Sequence, residues 1–385
     1  MRTIVTGLLI SLPLFLFAQF ETRGYVQQLI GVEYNPLKNP PSLLDRNEDF
    51  ISSQLLTPLA PTSFSRLYLS TKREWEKLTL RLRPSVNWQW FPNYDRANYL
   101  RLSGQQSLSY EPNKDWTFTQ RLAYRKVDRQ GTQDQEDLFQ LSRSYDRWDA
   151  SIGASHDLDK RHSIEAELGW TLQNYRGDAT VATGYSAYQL DVAWQQDFGR
   201  TAWLQETEVA LSWQRRNWWL EREISTDSSA FSVRDMSYYK LRVETEIAPF
   251  DNIEWTPYGH LQMREASSAA LSWREWRIGQ TWQGEHGDWE WTWRSYYGRR
   301  IYPENLIEQS EEIEEDLWEE WEEPLQYQLL SNSLEVSYQI NEQHRLMIKL
   351  RDIRRLSNNE DESRTAQRAY TNSFAGVGWR WDFAQ

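Results

Sequence analysis

Residues 371–383 read Thr-Asn-Ser-Phe-Ala-Gly-Val-Gly-Trp-Arg-Trp-Asp-Phe. Ala375, Val377, Trp379, Trp381 and Phe383 fall on one parity, and Asn372, Gly376, Gly378, Arg380 and Asp382 on the other. A β-strand turns successive side chains to opposite faces, so this segment has one apolar and one polar face. The same alternation recurs from about residue 64 to the end, in segments of roughly 10–16 residues with Trp or Tyr near their ends. Polar turns separate them. A dozen such segments behind a secretion signal predict an all-β, antiparallel, up-and-down barrel with lipid outside and water inside. A closed barrel leaves no sheet edge in hydrocarbon.

The N-terminus has the layout of a signal peptide. Arg2 supplies the charge, Gly7–Phe17 a short apolar run, and Ala18 a small residue before Gln19. That run is too short for a helical span. Leu16 stands where a small residue is preferred, which blurs the cleavage point. The expected organisation is a signal peptide at 1–18, an N-terminal segment at 19–63, and a transmembrane barrel over 64–385. The middle segment holds a candidate first strand, Gly24–Tyr34, and a Pro-rich stretch, Pro36–Pro61, read as a loop or an inward-folded segment. Cysteine is absent, which removes a lipid-anchored N-terminus, disulfides, thiolate metal sites and thiol nucleophiles.

A mean hydropathy of −0.79 with 26% charged residues looks soluble at first. A barrel resolves this, since only alternate strand residues need be apolar. The 22 Trp and 20 Tyr favour that reading, because amphipathic rings settle at membrane–water interfaces. The competing reading is a soluble β protein with a Trp-rich binding surface. A net charge of −13 argues against nucleic acid as a partner.

Strands are predicted at 76–90, 97–110, 115–126, 138–156, 162–175, 185–198, 201–218, 236–248, 254–264, 272–283, 288–300, 325–340, 343–356 and 370–383. Phe64–Lys72 and Gly24–Tyr34 bring the expected count to 16, with 14 as the alternative. Short turns at 111–114, 157–161, 197–200, 249–253, 284–287 and 341–342 share one end. The long connections at 127–137, 176–184, 221–235, 301–324 and 357–369 share the other, as in barrels with short periplasmic turns and long external loops. In 138–156 the apolar parity switches between Leu141 and Trp148, which predicts a bulge near Tyr145–Arg147.

Turning the apolar face outward sends the other parity into the lumen. Arg66, Lys72, Arg81, Arg83, Arg101, Arg121 and Arg125 near the start join Arg345, Lys349, Arg351 and Arg380 near the end in one basic arc once the barrel closes. Asp382 lies within that arc. Glu165, Glu167, Asp191, Glu206 and Glu208 form an acidic wall on the middle strands, read as having no basic neighbour on their face. Opposed walls would impose a transverse field on a water-filled lumen. The plainer reading is that these charges only solvate the lumen, or pair into a plug.

Eleven carboxylates and no basic residue lie between Glu304 and Glu323, among them Glu311, Glu312, Glu314, Glu315, Asp316, Glu319 and Glu320. Ile313, Leu317 and Trp321 recur at i, i+4, i+8 between Pro303 and Pro324, which predicts a short amphipathic helix. The sharper expectation folds this loop inward against the basic arc. The others are divalent-cation binding beside lipopolysaccharide, without an EF-hand pattern, and a plain solvated loop.

No catalytic constellation appears. His162 and Ser163 are adjacent, hence on opposite strand faces, and no H-E-x-x-H, P-loop or dinucleotide glycine pattern occurs. His260 reads as a hydrogen-bonded lumen wall residue near Glu254 and Arg264. No catalytic, metal or cofactor site is expected.

The signal, the alternating strands, their aromatic ends and the terminal G-V-G-W-R-W-D-F of Gly376–Phe383 make the chain resemble Gram-negative outer-membrane β-barrels of the porin-like type. In those barrels a terminal aromatic residue is read by the barrel-assembly machinery. Phe383 would play that part, although Ala384 and Gln385 follow it. The resemblance implies a location in the outer membrane, contact with its lipid and lipopolysaccharide, and diffusion of small polar solutes. It leaves open a homo-oligomer, and a non-conducting barrel serving as scaffold or partner subunit of an envelope complex. Architecture is the specific part of the signal, because one fold hosts many functions.

Overall fold

The computed structural model describes residues 20–35, 59–93, 97–129, 144–176, 184–199, 203–219, 235–267, 269–314, 317–358 and 369–384. They form sixteen strands: β1 Glu21–Tyr34, β2 Leu59–Trp75, β3 Leu78–Trp90, β4 Tyr99–Asn113, β5 Trp116–Arg129 and β6 Tyr145–Asp157. β7 His162–Tyr175, β8 Gly184–Asp197, β9 Leu204–Trp219, β10 Asp235–Phe250 and β11 Ile253–Ala266 follow. β12 Trp273–His286, β13 Trp289–Glu314, β14 Leu317–Gln339, β15 His344–Ser357 and β16 Tyr370–Ala384 complete the wall. Each strand pairs antiparallel with its sequence neighbours, and β1 pairs with β16, so the sheet closes on itself. Every strand edge within the wall is thereby paired.

The candidate strand at 24–34 is the closing element. Val26 faces Trp381 and Ile30 faces Val377 across the seam, while Gly31 faces Gly376. The barrel therefore starts at Glu21, within the segment expected to precede it, and β2 begins at Leu59 and includes Pro61. Residues 36–58, the rest of the Pro-rich stretch, lie outside the described residues.

The six short turns expected share one end of the barrel, as the alternation predicts, and Glu76–Lys77, expected within a strand at 76–90, is a further turn there between β2 and β3. Their chemistry is local. Asn113 Oδ1 accepts from the backbone N–H of Asp115 (3.0 Å) and Trp116 (3.0 Å), and Asn341 Oδ1 accepts from Gln343 (2.9 Å) and His344 (3.0 Å). Asp159 does the same for Arg161 (2.7 Å) and His162 (2.9 Å). Such side chains satisfy turn donors that the ladder leaves open. These bonds, with His162 beside it, hold the Asp159 carboxyl below the usual carboxylate range.

Two expectations fail. The bulge near Tyr145–Arg147 is not there: β6 pairs without interruption with β5 and β7 from Tyr145 onward. The strand starts at Tyr145, and Phe139 and Leu141, whose parity suggested the switch, lie outside the described residues. The helix between Pro303 and Pro324 is not there either. β13 and β14 zip past the wall as one hairpin, with Leu306 opposite Pro324 and Glu314 opposite Leu317. Its outer part has no third strand among the described residues, since β12 pairs only as far as Ile301 and β15 only as far as Tyr327.

The outer face is what water would not tolerate. Ile30 (65% exposed), Ile152 (62%) and Val377 (62%) stand in a continuous apolar band with Leu211, Leu261 and Ile278. A surface this apolar needs a non-aqueous solvent. Aromatic rings border the band near the short turns, where Trp255 stacks on Trp282 (5.3 Å) and Trp289 tilts against Tyr338 (4.9 Å). Trp88, Trp148, Tyr188 and Trp276 border it at the other end. No helix among the described residues is long and apolar enough to cross a membrane, which says nothing against crossing by strands.

Candidate functional site: the barrel lumen

Parity places side chains here with little freedom. The strand register puts every residue of the expected basic arc on the face opposite the apolar band: Arg66, Lys72, Arg81, Arg83, Arg101, Arg121, Arg125, Arg345, Lys349, Arg351 and Arg380. Glu165, Glu167, Asp191, Glu206 and Glu208 share that face on β7–β9.

The arc is not uniformly basic. Arg351 donates to Glu33 (2.8 Å), Lys349 to Glu335 (3.1 Å), and Arg345 pairs with Glu290 and with Asp382 (3.4 Å). Arg380 bonds Asp382 (2.5 Å) and lies over the Tyr25 ring (4.0 Å), while Lys72 pairs with Glu74. Arg66 rests over Tyr25 (5.5 Å) and Tyr68 (5.9 Å). Arg23, which sequence reading missed, and Arg81, Arg83, Arg101, Arg125 and Arg294 are lumen arginines with neither an ion pair nor a ring contact among the described residues. The Nε atoms of Arg83, Arg101 and Arg125 are buried without a hydrogen-bond partner there.

The acidic wall is corrected in one place and extended in another. Glu167 does have a basic partner, Arg121, which reaches across β6 to Oε2 at 2.6 Å. Asp191 accepts from Gln189 (2.6 Å), the end of a lane running from Arg216 through Gln214 and Gln189. Glu165, Glu206 and Glu208 have no ion-pair partner among the described residues. Glu206 sits directly opposite Glu246 on β10 and Asp197 on β8, and Glu208 directly opposite Glu244. Glu246 also lies in the field of Glu254. Directly opposed like charges destabilise a sheet, so this cluster is held against its own repulsion.

Signs therefore separate within one half of the barrel. Toward the short turns, β1–β3 carry unpaired arginines and β7–β11 carry the carboxylates. Toward the long loops, cations on the later strands are sheathed. Glu275, its side chain fully buried, holds Arg277 (2.6 Å) and Arg300 (2.6 Å), with His260 Nε2 at 3.3 Å. Arg300 lies over Trp273 (4.2 Å), and Arg355 over both Tyr327 and Tyr370 (4.8 Å each). His260 is the wall residue expected, though its partner is Glu275 rather than Glu254. Its neighbours Glu275, Arg277 and Arg300 follow from the same parity.

His156, His162 and His344 belong to the outer girdle. Each stacks on a Trp: Trp116 (4.2 Å), Trp194 (5.9 Å) and Trp379 (5.4 Å) respectively. Of the acidic loop, Glu311, Glu312, Glu314, Glu319 and Glu320 lie on the β13–β14 hairpin, with Glu311 opposite Glu319 and Glu308 opposite Glu322. Glu315 and Asp316 lie outside the described residues. Among the described residues, no cluster of His and carboxylate side chains is arranged to hold a metal ion.

No protein-family profile matches the chain, and no curated protein matches it in sequence. Solved structures resemble it in outline. A bacterial polysaccharide outer membrane secretin matches at 6% identity and a TM-score of 0.44, over 93% of this chain and 98% of its own. OmpTdeltaL8, a loop-deletion form of an outer membrane protein of Vibrio cholerae, matches at 10% and 0.42 over 94% and 99%. The siderophore receptor PirA of Pseudomonas aeruginosa matches at 10% and 0.41 over 94% and 80%. These likenesses are too distant to bear on function, and the fold stands on the register itself. A closed sixteen-stranded wall, an apolar outer band between aromatic girdles and a charged interior give this chain the architecture of an outer-membrane β-barrel.

Proposed function

We propose that the protein is a diffusion channel for small polar solutes, exported behind residues 1–18 and set in the outer membrane with its short turns in the periplasm. The observation that supports this most is the set of charged lumen groups without an ion pair among the described residues, Arg23, Arg81 and Arg83 on one wall against Glu165, Glu206 and Glu208 on the other. An unpaired charge out of water costs several kcal/mol, of order that of a broken buried ion pair. These groups are stable only if water reaches them. Barrels of about this strand number are wide enough to hold an aqueous column. The two walls would orient a dipolar solute across the column and disfavour an apolar one.

The test is single-channel conductance of the signal-free, refolded protein in a planar bilayer, with the reversal potential read under a salt gradient. Steady conductance is expected. Reversing the arginines in Arg81→Glu/Arg83→Glu/Arg125→Glu should move the reversal potential toward cation selectivity. A folded barrel that never conducts removes the channel reading.

A further inference from the structure

The short-turn end of the lumen holds a cavity of about 640 Å³ beside the β16–β1 seam. Five arginines line it: Arg23, Arg81, Arg83, Arg345 and Arg380. Its carboxylates are Asp382, already engaged by Arg345 and Arg380, and Glu342 on the β14–β15 turn. The Tyr25 and Tyr68 rings, stacked at 5.3 Å, line it as well.

Several other lumen arginines supply a contrast, although Arg101 and Arg125, toward the long loops, and Arg294 share the lack of an ion pair. Arg121, Arg277, Arg300 and Arg351 each reach a carboxylate at 2.6–2.8 Å. Arg355 and Arg216 are laid over aromatic rings at 4.4–5.0 Å. Among the described residues Arg23, Arg81 and Arg83 have neither kind of partner, and the Nε of Arg83 is buried without an acceptor. Three planar, permanently charged forks facing one cavity suit an oxyanion with more than one charge, since each fork can give two parallel N–H bonds. A monocarboxylate would leave most of that charge uncompensated.

We infer that this cavity is a binding subsite for a multiply charged phosphate group, as carried by a phosphate monoester or a diphosphate, held chiefly by Arg81 and Arg83. The inference rests on the channel reading where it names the solute that the lumen takes. Its size falls in the range of small-molecule sites, which supports a phosphorylated solute over a bare halide. The position at the short-turn mouth makes it the last lumen contact on the way in, or the first on the way out.

The experiment is calorimetric titration of sodium pyrophosphate into the folded, signal-free barrel in zwitterionic detergent at low salt. Four proteins are compared: the unaltered barrel, Arg81→Gln/Arg83→Gln, Arg101→Gln/Arg125→Gln and Glu206→Gln. Each is first checked for native strand content and for its folded mobility on an unheated gel. Saturable binding is expected in the unaltered protein, weakened by at least about tenfold in the Arg81/Arg83 variant, the loss of one or two charge-assisted bonds. The Arg101/Arg125 and Glu206 variants should bind within about threefold of the unaltered protein, well under the loss of one such bond. No saturable heat in the unaltered protein overturns the site. An equal loss in the Arg101/Arg125 variant also overturns it, by showing attraction to the lumen field at large. Replacing pyrophosphate with succinate separates phosphate from carboxylate chemistry, and succinate binding as tightly would overturn the assignment to phosphate. Conduction enters none of these readouts, so a barrel that binds pyrophosphate but stays silent refutes the channel and leaves the subsite standing.

Discussion

The β16–β1 seam offers a sharp test, because it is built around glycines that nothing larger can replace. A Cβ added at Gly31 would come 2.1 Å from the carbonyl oxygen of Ala375 and 2.7 Å from the Cα of Gly376. One added at Gly378 would come 2.1 Å from the carbonyl oxygen of Gln28. These neighbours are backbone, so no rotamer change relieves the clash. An ordinary contact needs roughly 3.4 Å, so the strands must part by more than about 1 Å, beyond the reach of the ladder bonds on either side. Overpacking alone costs about 1–3 kcal/mol, and each loosened backbone bond adds about 1 kcal/mol. Gly31→Ala should then cost about 3 kcal/mol. With a urea dependence of about 1–3 kcal/mol per M, the unfolding midpoint falls by about 1 M or more, read by Trp fluorescence of the barrel in lipid vesicles. Gly104, on the lipid face of β4, has nothing within 4 Å of its added Cβ. Gly104→Ala should be neutral or up to about 1 kcal/mol stabilising. If Gly31→Ala shifts the midpoint no more than Gly104→Ala does, the seam is looser than its backbone contacts say and the reasoning fails.

Three further outcomes follow from the lumen and the turns. Glu275→Ala strands Arg277, Arg300 and His260 around a fully buried position and should cost about 3–5 kcal/mol in the same unfolding assay, with Glu275→Gln between it and the unaltered protein. Glu206→Gln relieves direct opposition to both Glu246 and Asp197, so it should raise the urea midpoint by the equivalent of about 0.2–1 kcal/mol while moving the reversal potential away from cations. Asp159 carries a carboxyl held below its unfolded range, so the turn's support is present above the ordinary carboxylate pKa and is lost as pH falls through the folded value. Amide exchange at Arg161 and His162 should therefore accelerate on acidification, relative to exposed amides elsewhere, and Asp159→Ala should abolish that difference.

Parity carried most of what the sequence could say. Arg81, Arg125, Glu206 and Arg380 point where an alternating strand must send them, because a one-residue slip would turn every apolar neighbour into the lumen. Closure by Gly24–Tyr34 rested on an even count, and the register of Val26 with Trp381 and Ile30 with Val377 supplies the physical reason. What parity does not encode is the stagger between strands. Arg121 meets Glu167 across an intervening strand only because of that stagger, so the pairing was invisible along the chain. The acidic hairpin failed for a different reason. Ile313, Leu317 and Trp321 are four apart, a spacing that fits a helix face and, being even, fits a strand face equally well. Pairing of Trp289–Tyr302 with Leu325–Tyr338 broke the tie, since each pair formed in the wall brings the next one into reach.

The distribution of partners tells more about the lumen than its total charge does. A wall that needs only to be wet can alternate signs, and toward the long loops the later strands of this one and β1 do. There Glu33, 4% exposed, takes bonds from Arg351, Asn372 and Gln89, and Glu275 takes two arginines and a histidine. Toward the short turns the same strands leave arginines together on β1–β3 and carboxylates together on β8–β10. Stability does not favour that arrangement, since exchanging Glu206 for a neutral residue or placing an acid beside Arg81 would lower the repulsion. Local conflicts of this kind, kept in a wall that is otherwise consistent, mark the place where a sequence serves something besides its fold. The short-turn half of the lumen is where both signs are gathered on separate walls, and it is there that solute chemistry should be sought.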